Sequence, residues 1–371
     1  MPEIHLETLY KIGNSIDTFA PGHYARVFEA QDTLGKPCAF KVMRNEHLTT
    51  DGTPKWEALA FINEADLLNR MAESSAVMRL YDCGYLSSEE ERPRGGHAIS
   101  FGTDAESFKR ASLTYAEKRW RPYLAVEMLP RAENLLYLMK PNTPGTRWRL
   151  PTEEGLDLAI QFVDMLRVAH SRRILYLDHK LEHVYWDGRT LRVIDWNSSK
   201  LIEGNDQVLA NQIQMDLHNL CVGIFYPIFT GLSPQKGALM PQPAGQEEVE
   251  ARYGDVNHLD FGVEPTLGAA LQALLEQGAR VQIPNADVFL AGLERVSVDY
   301  GWQAAPDPLR DARRQMRAGL AKLRAGQDSI KDARAIFHDA LSGEEINDEF
   351  EGELRRLLGK INEMLNARVI P

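Results

Sequence analysis

The most constraining feature of the sequence is the stretch ILYLDHKLEHVYWDGRTLRVIDWNSS, which runs from residue 174 to residue 199. It places Asp178, Lys180 and His183 in one short polar run, and an apolar strand then leads to Asp195. Charged groups among apolar residues are costly to bury unless they are paired or bind a ligand. The stretch therefore raises the question of whether these acidic and basic groups come together in a working site.

The size and composition of the chain are those of an ordinary globular protein. Its 371 residues are 44% hydrophobic and 26% charged, which allows two or three domains with a sizeable core. The net charge of −11 argues against a broad nucleic-acid surface, because such a surface needs clustered positive charge. We therefore expect no nucleic-acid partner.

The sequence carries no sign of an oxidising or membrane environment. Cys38, Cys83 and Cys221 are far apart and fit neither a disulfide framework nor a zinc motif. The N-terminal residues MPEIHLETLY lack the pattern of a signal sequence, and no run of about 18 apolar residues could span a bilayer. These features predict a cytoplasmic protein without a membrane span.

Strand patterns and one helix pattern dominate residues 1–128. Two β-prone runs within residues 8–43 are joined by the turn signal LGKP, and residues 55–72 have helical spacing. Further strands are predicted in VMRLYDCGYL and PYLAVEML. Between these two strands, residues 87–121 have mixed charge and exceed an ordinary hairpin loop, which predicts a surface insertion that is functional or mobile.

Helix patterns dominate residues 129–305. EEGLDLAIQFVDMLRVAHSRR predicts an amphipathic helix that leads into the polar stretch. MDLHNLCVGIFYPIFTG predicts a helix of about 16 residues, which suits a buried core helix better than a membrane span.

A heptad pattern marks residues 306–371. Large apolar residues recur every seven positions, and small residues follow each by three; they are Leu309, Met316, Leu323, Ile330 and Phe337, with Ala312, Gly319, Gly326, Ala333 and Ala340. Ser342 and Glu345 then form a capping-box signal before a second helix pattern. The segment predicts a helical hairpin, which packs on the body of the protein or forms a homodimer with a second copy.

The order of these elements resembles the protein-kinase-like superfamily over about residues 8–300. CAFKVM resembles the kinase motif VAIK and puts Lys41 in the lysine position, while Glu64 on the following helix matches its partner. YLAVEML resembles the hinge between the two lobes, with Val126 in the gatekeeper position. APGHYARVFEA aligns with the glycine-rich flap, where only Gly22 keeps a glycine.

The resemblance implies that the chain binds ATP between two lobes. In kinases the flap covers the phosphates, the lysine contacts the α- and β-phosphates, and backbone groups of the hinge contact adenine. The nucleotide-binding residues that the resemblance implies are Gly22, Val27, Ala39, Lys41, Glu64, Val126, Glu127 and Leu129.

The polar run YLDHKLEH resembles the kinase catalytic loop HRDLKxxN. Asp178 then matches the residue that receives the acceptor hydroxyl, and Lys180 matches the one that neutralises charge on the transferring phosphoryl group. His183 and Asp195 fall in metal-binding positions, so the resemblance implies Mg²⁺ or Mn²⁺ with ATP. Asp216 matches the helix aspartate that braces the catalytic loop.

Several positions depart from the kinase pattern. His183 replaces an asparagine, as in the similar lipopolysaccharide sugar kinases, and Leu177 replaces the arginine that grips a phosphorylated activation loop. Asp216 follows Asp195 by only 21 residues, so the platform for a peptide substrate is short or absent. The sequence DWN replaces DFG, and IDW also resembles the aminoglycoside and choline phosphotransferases.

The sequence thus predicts an α+β, bilobal protein-kinase-like fold. A small antiparallel-sheet lobe with one helix covers residues 1–128, a mainly helical lobe covers residues 129–305, and a helical hairpin covers residues 306–371. The predicted function is an ATP-dependent phosphotransferase that acts on a hydroxyl, on protein Ser/Thr ahead of a small molecule or glycan. The alternative is a pseudokinase, a scaffold that binds protein partners.

Overall fold

The β-prone runs near the start of the chain fold into one antiparallel sheet of seven strands, in the order β1-β6-β5-β7-β4-β3-β2. The strands are β1 (Ile4–His5), β2 (Tyr10–Ser15), β3 (Ala25–Asp32), β4 (Pro37–Met43), β5 (Leu80–Leu86), β6 (His97–Ser100) and β7 (Arg121–Glu127). The predicted hairpin at LGKP is confirmed: β3 and β4 pair through a turn in which Gly35 has a φ of 77°. Such a φ favours glycine.

The computed structural model describes residues 3–16, 24–49, 52–139, 147–232, 246–250, 252–301, 328–342 and 348–366. The chain forms two compact units, Met1–Met71 with Ser75–Tyr300, and Ala72–Ser74 with Gly301–Pro371. The architecture is α+β, as predicted. The predicted boundary between residues 128 and 129, inside the first unit, stays a prediction.

Helix α1 (Trp56–Arg70) packs one face on the sheet. Phe61, Ala65 and Leu68 are buried on that face, whereas Trp56 and Leu59 are exposed. The helix predicted over residues 55–72 is therefore confirmed, and its apolar spacing serves the contact with the sheet.

Residues 87–121, predicted as a surface insertion, contain regular secondary structure. They contain β6, which pairs with both β5 and β1, and the helices α2 (Ala105–Arg110) and α3 (Ser112–Glu117). Phe108 and Tyr115 from these helices are buried beside Tyr85 of the sheet. The expectation of a single helix over residues 1–128 is wrong, since α2 and α3 are present. These short helices have few apolar residues among many charged ones, so their sequence pattern is weak.

The second half of the first unit is mainly helical. Its helices are α4 (Leu135–Leu138), α5 (Thr152–Ser171), α6 (Asp206–Leu220), α7 (Tyr226–Thr230), α8 (Gln246–Glu250), α9 (Ala269–Ala279) and α10 (Ala286–Asp299). The predicted amphipathic helix is α5. The predicted core helix is buried but begins earlier, at Asp206, and a π-helical turn, Cys221–Phe225, joins α6 to α7. This turn precedes Pro227, which has no N–H for the helical hydrogen-bond ladder.

Two small antiparallel pairs of strands frame the polar stretch. β8 (Ile174–Leu175) pairs with β11 (Lys200–Leu201), and β9 (Val184–Trp186) pairs with β10 (Leu191–Val193). The residues between these strands form the loop and the turn that the resemblance implied.

The second unit contains α11 (Asp328–Leu341) and α12 (Asp348–Asn366). Its buried cluster joins both helices and consists of Ala333, Phe337, Ala340, Leu354, Leu358 and Ile361. The end of the heptad pattern is thus confirmed as a packed helix pair, whereas Leu309, Met316, Leu323 and Glu345 lie outside the described residues. Among the described helices, none combines the length and the apolar character needed to span a membrane.

Candidate functional site

The polar loop is held in place by one buried carboxylate, that of Asp216 on α6. The backbone N–H groups of Tyr176 and Leu177 donate to this carboxylate at 3.0 and 2.8 Å. The Nε2 atoms of His170 and His179 lie 2.9 and 2.8 Å from the same group. The structure therefore gives Asp216 the bracing contacts that the sequence resemblance implied.

Electrostatics match this arrangement. Burial alone would raise the pKa of the Asp216 carboxyl, but the charge of His179 and hydrogen bonds from His170 and His179 hold that pKa far below its usual range. Asp216 is therefore a carboxylate at neutral pH, and its four partners fix the loop around it.

The backbone is unusual at both ends of the site. Leu177 has a φ of 69° and Asp195 has a φ of 60°, in the left-handed region that residues other than glycine seldom occupy. The ring of Trp196 packs edge-on against Tyr176, and the hydroxyl of Tyr176 donates to the Ile194 carbonyl at 2.7 Å. These contacts between buried aromatic side chains hold the turn in place, so Trp196 supports the site from its buried side.

Lys41 joins the sheet to this turn. Its Nζ atom lies 2.7 Å from Glu64 Oε2 on α1 and 2.9 Å from Asp195 Oδ1. Glu64 is 1% exposed, the Lys41 side chain 11% and the Asp195 side chain 27%, so the ammonium group joins a buried carboxylate to one that is partly open to solvent. The sequence predicted the pair with Glu64 and placed Asp195 nearby through the resemblance alone.

Lys41, Glu64 and Asp195 shift one another's pKa values. Burial alone would lower the pKa of Lys41, but Asp195 and Glu64 raise it well above its usual value. Burial alone would raise the pKa of Asp195, but Lys41 and His183 hold it below its usual range. Burial raises the pKa of Glu64, and Asp195 adds to that rise, while Lys41 opposes it. The ammonium and the Asp195 carboxylate are thus charged at neutral pH.

Asp178, His183 and Asp195 form a second group around Asp195. One ligand atom from each of these three residues lies within 4.8 Å of the other two. The Nδ1 atom of His183 is 3.1 Å from the Asp178 carbonyl, and its Nε2 atom is 3.3 Å from Asp195 Oδ2. A carbonyl only accepts, so Nδ1 carries a proton, and Nε2 is the ring nitrogen that faces Asp195.

Both oxygens of the Asp178 carboxylate face cations of the chain. Lys180 Nζ lies 3.0 Å from Oδ2, and Arg252 Nη2 lies 3.0 Å from Oδ1. Lys180 was predicted at this place. Arg252 was missed, because it follows α8 in a segment without a motif, and only the folded chain brings it to the loop.

Four of the other predicted nucleotide-binding residues lie on β4 and on its neighbours β3 and β7; they are Val27, Ala39, Val126 and Glu127. Val27 pairs with Lys41 between β3 and β4, and Ala39 pairs with Val126 between β4 and β7. Glu127 ends β7, where its N–H donates to the Arg79 carbonyl at 2.9 Å. Leu129 follows in the connection to the helical part and is partly buried, and Gly22 lies outside the described residues.

Comparison with known proteins does not assign the chain to a family. No protein-family model matches the sequence. The search of curated proteins finds no match either.

Proposed function

We propose that the protein is an ATP-dependent phosphotransferase with a bilobal, protein-kinase-like fold, and that it phosphorylates a hydroxyl group on protein Ser/Thr. The observation that carries the proposal is the contact of one buried ammonium, that of Lys41, with Glu64 and Asp195 at once. Asp195 also lies beside His183 and within reach of Asp178. In phosphotransferases of this type, the corresponding lysine contacts the phosphates of ATP. Here that lysine contacts Asp195, which lies beside the proposed metal ligand His183 and the proposed proton acceptor Asp178.

In the proposed reaction, the acceptor oxygen bonds to the γ-phosphorus while the bond from that phosphorus to the β,γ-bridging oxygen breaks, and ADP leaves with the electron pair. Asp178 takes the hydroxyl proton, and Lys180, whose Nζ atom is 3.0 Å from Asp178, neutralises charge on the phosphoryl group in this proposal. Lys41 contacts the α- and β-phosphates.

The donor atoms fit a divalent cation. Asp195 offers a carboxylate oxygen and His183 offers an imidazole nitrogen, and a carboxylate oxygen of Asp178 lies within 4.8 Å of both. Mg²⁺ prefers oxygen, whereas an imidazole ligand suits a transition metal such as Mn²⁺ better, so Mn²⁺ is the preferred ion in this proposal. The bound cation would neutralise charge on the phosphate oxygens.

The experiment uses the full chain with γ-labelled ATP and either Mg²⁺ or Mn²⁺. We expect ATP turnover or label transfer that is faster with Mn²⁺ and that Asp178→Asn and Asp195→Asn each reduce by about a hundredfold or more. Asp287→Asn, on the exposed face of α10, is the matched control and should keep full activity. Turnover that survives both site substitutions would contradict the proposal.

A second function is favoured by the state of Asp178, which is 4% exposed and pairs with Lys180 and Arg252 through its two oxygens. A pseudokinase that binds nucleotide and a protein partner has no need of an accessible Asp178. Thermal stabilisation by ATP with either metal, without any turnover, would support this function over phosphoryl transfer. Within the enzyme proposal, a small molecule or a glycan is the further alternative acceptor. Both proposed functions include a cytoplasmic location.

A further inference from the structure

Arg252 lies at the place where the proposed acceptor hydroxyl has to approach. Its Nη2 atom is 3.0 Å from Asp178 Oδ1, and its side chain is only 9% exposed. Since Lys180 holds the other oxygen, a hydroxyl that bonds to Asp178 has to compete with a cation of the chain itself. The resemblance gives no role to a residue at position 252.

The backbone beside Arg252 is fixed on the catalytic loop. The hydroxyl of Tyr253 donates to the His179 carbonyl at 2.9 Å, and the Tyr253 carbonyl accepts from His218 Nε2 at 2.9 Å. Gly223, in the π-helical turn, leaves space for the Tyr253 ring: a Cβ there would come within 2.7 Å of it. A rearrangement at Arg252 therefore involves its side chain rather than the backbone.

Helix α8, just before Arg252, is anchored in the same way. Val249 is buried against Leu175 and Leu177, and Glu250 forms an ion pair with Lys200. Leu177, which stands where kinases carry an arginine that binds a phosphorylated loop, thus makes an apolar contact with Val249 of α8. These contacts favour a fixed recognition element over a lid that swings away.

We infer that Arg252 selects acceptors that carry a phosphate or carboxylate close to the reacting hydroxyl. A neutral acceptor that displaces the guanidinium from Asp178 leaves a largely buried cation without its partner, which is costly. An anionic group takes over that pairing, and a guanidinium binds phosphate or carboxylate through two parallel hydrogen bonds. The same contact then releases Asp178 Oδ1 for the hydroxyl and fixes the acceptor. This inference rests on the proposed function.

The test compares wild type, Arg252→Met, Arg252→Lys and the control Arg280→Met, which removes a surface arginine of the same type. Transfer from γ-labelled ATP is measured to glycerol and to glycerol 3-phosphate, and to two serine peptides that differ by Gln or Glu beside the serine. Calorimetry measures the binding of glycerol 3-phosphate without ATP. Circular dichroism checks that each variant is folded.

We expect wild type and Arg280→Met to prefer the anionic member of a pair by about tenfold or more, and Arg252→Met to lose that preference. Arg252→Lys should keep part of it, because the charge remains. Preference within the glycerol pair supports a small anionic acceptor, and preference within the peptide pair supports an acidic protein site.

An equal preference in wild type and Arg252→Met overturns the inference even if ATP turnover is normal, and the proposed function then stands. The opposite result is also distinguishable. If wild type shows no turnover but binds glycerol 3-phosphate, and Arg252→Met abolishes that binding, the proposed function is overturned and the anion site is retained. Binding that Arg252→Met leaves unchanged overturns the anion site itself.

Discussion

Lys41 is the residue on which the candidate site depends most. Its ammonium group compensates Glu64, which is 1% exposed, and also contacts Asp195, on a turn 154 residues further along the chain. Two carboxylates around one ammonium are stable only while that cation is present, since a buried and unpaired carboxylate is strongly disfavoured.

We predict that Lys41→Met lowers the free energy of unfolding by about 3–5 kcal/mol at neutral pH, because Glu64 loses its cation. Urea unfolding measures this change. Lys11→Met, which removes an exposed lysine of β2, is the matched control and should change the free energy by less than about 0.5 kcal/mol. Equal effects of the two substitutions would show that Lys41 does not compensate Glu64.

Asp216 provides a test by pH. Its folded-state pKa lies far below that of an unfolded aspartate, about 4. The group therefore contributes stability that is complete above about pH 4 and is lost as the pH falls toward the folded-state pKa. We predict that the stability of Asp216→Asn falls less steeply with acid than that of the wild type.

The same substitution should cost about 3 kcal/mol at pH 7, because an amide cannot accept from all four donors around position 216. Urea unfolding from pH 7 to pH 3 gives both quantities, with Asp287→Asn as the exposed control. Parallel pH profiles for Asp216→Asn and the wild type would refute the role of this carboxylate.

At the residue level, the sequence alone predicted those charged residues that stand in a recognisable local pattern. Lys41 stands in an apolar strand, and Asp178, Lys180 and His183 stand in one short run, so their local context marks them. Arg252 has no such context. Its contact with Asp178 depends on packing between residues far apart in the sequence, which a local pattern does not encode.

Among the elements, residues 87–121 changed most between expectation and structure. β6 lies between β1 and β5, and the ring of Phe108 is fully buried beside Tyr85. The β3–β4 hairpin and the helices α1 and α5 were predictable, because periodicity and turn residues are local signals. The four-residue β6 gives too short a pattern to stand out from a charged segment.

We predict that Phe108→Ala destabilises the protein by about 3–5 kcal/mol, as expected for a large side chain removed from a core. Leu113→Ala, from the next helix, removes a side chain that is 59% exposed and should cost less than about 0.5 kcal/mol. Thermal or urea unfolding compares the two. A small effect of Phe108→Ala would mean that residues 87–121 do behave as a loop.

At the scale of the whole molecule, the chain divides into two units with separate cores. The core of the second unit joins α11 and α12 through Phe337 and its neighbours. The heptad spacing predicted the buried face of α11, since Ala333, Phe337 and Ala340 all lie on it.

We predict that Phe337→Ala speeds hydrogen exchange in α11 and α12 while protection in the sheet stays as in the wild type, because the two cores are separate. Mass spectrometry of peptides from both units measures this. His338→Ala changes the adjacent, exposed position and serves as the control. Faster exchange in β4 and β7 of Phe337→Ala would show that the stabilities of the units are coupled.

The pairing of β1 with β6 has a consequence for behaviour at high concentration. Among the residues that the structure describes, Ile4 and His5 pair with the outer side of β6, through the pairs Ile4–Ala98 and His5–His97. An uncovered strand offers N–H and C=O groups to any other strand that meets it. Displacement of these two residues would therefore expose the longer strand β6 at the edge of the sheet, where it could act as a template for aggregation.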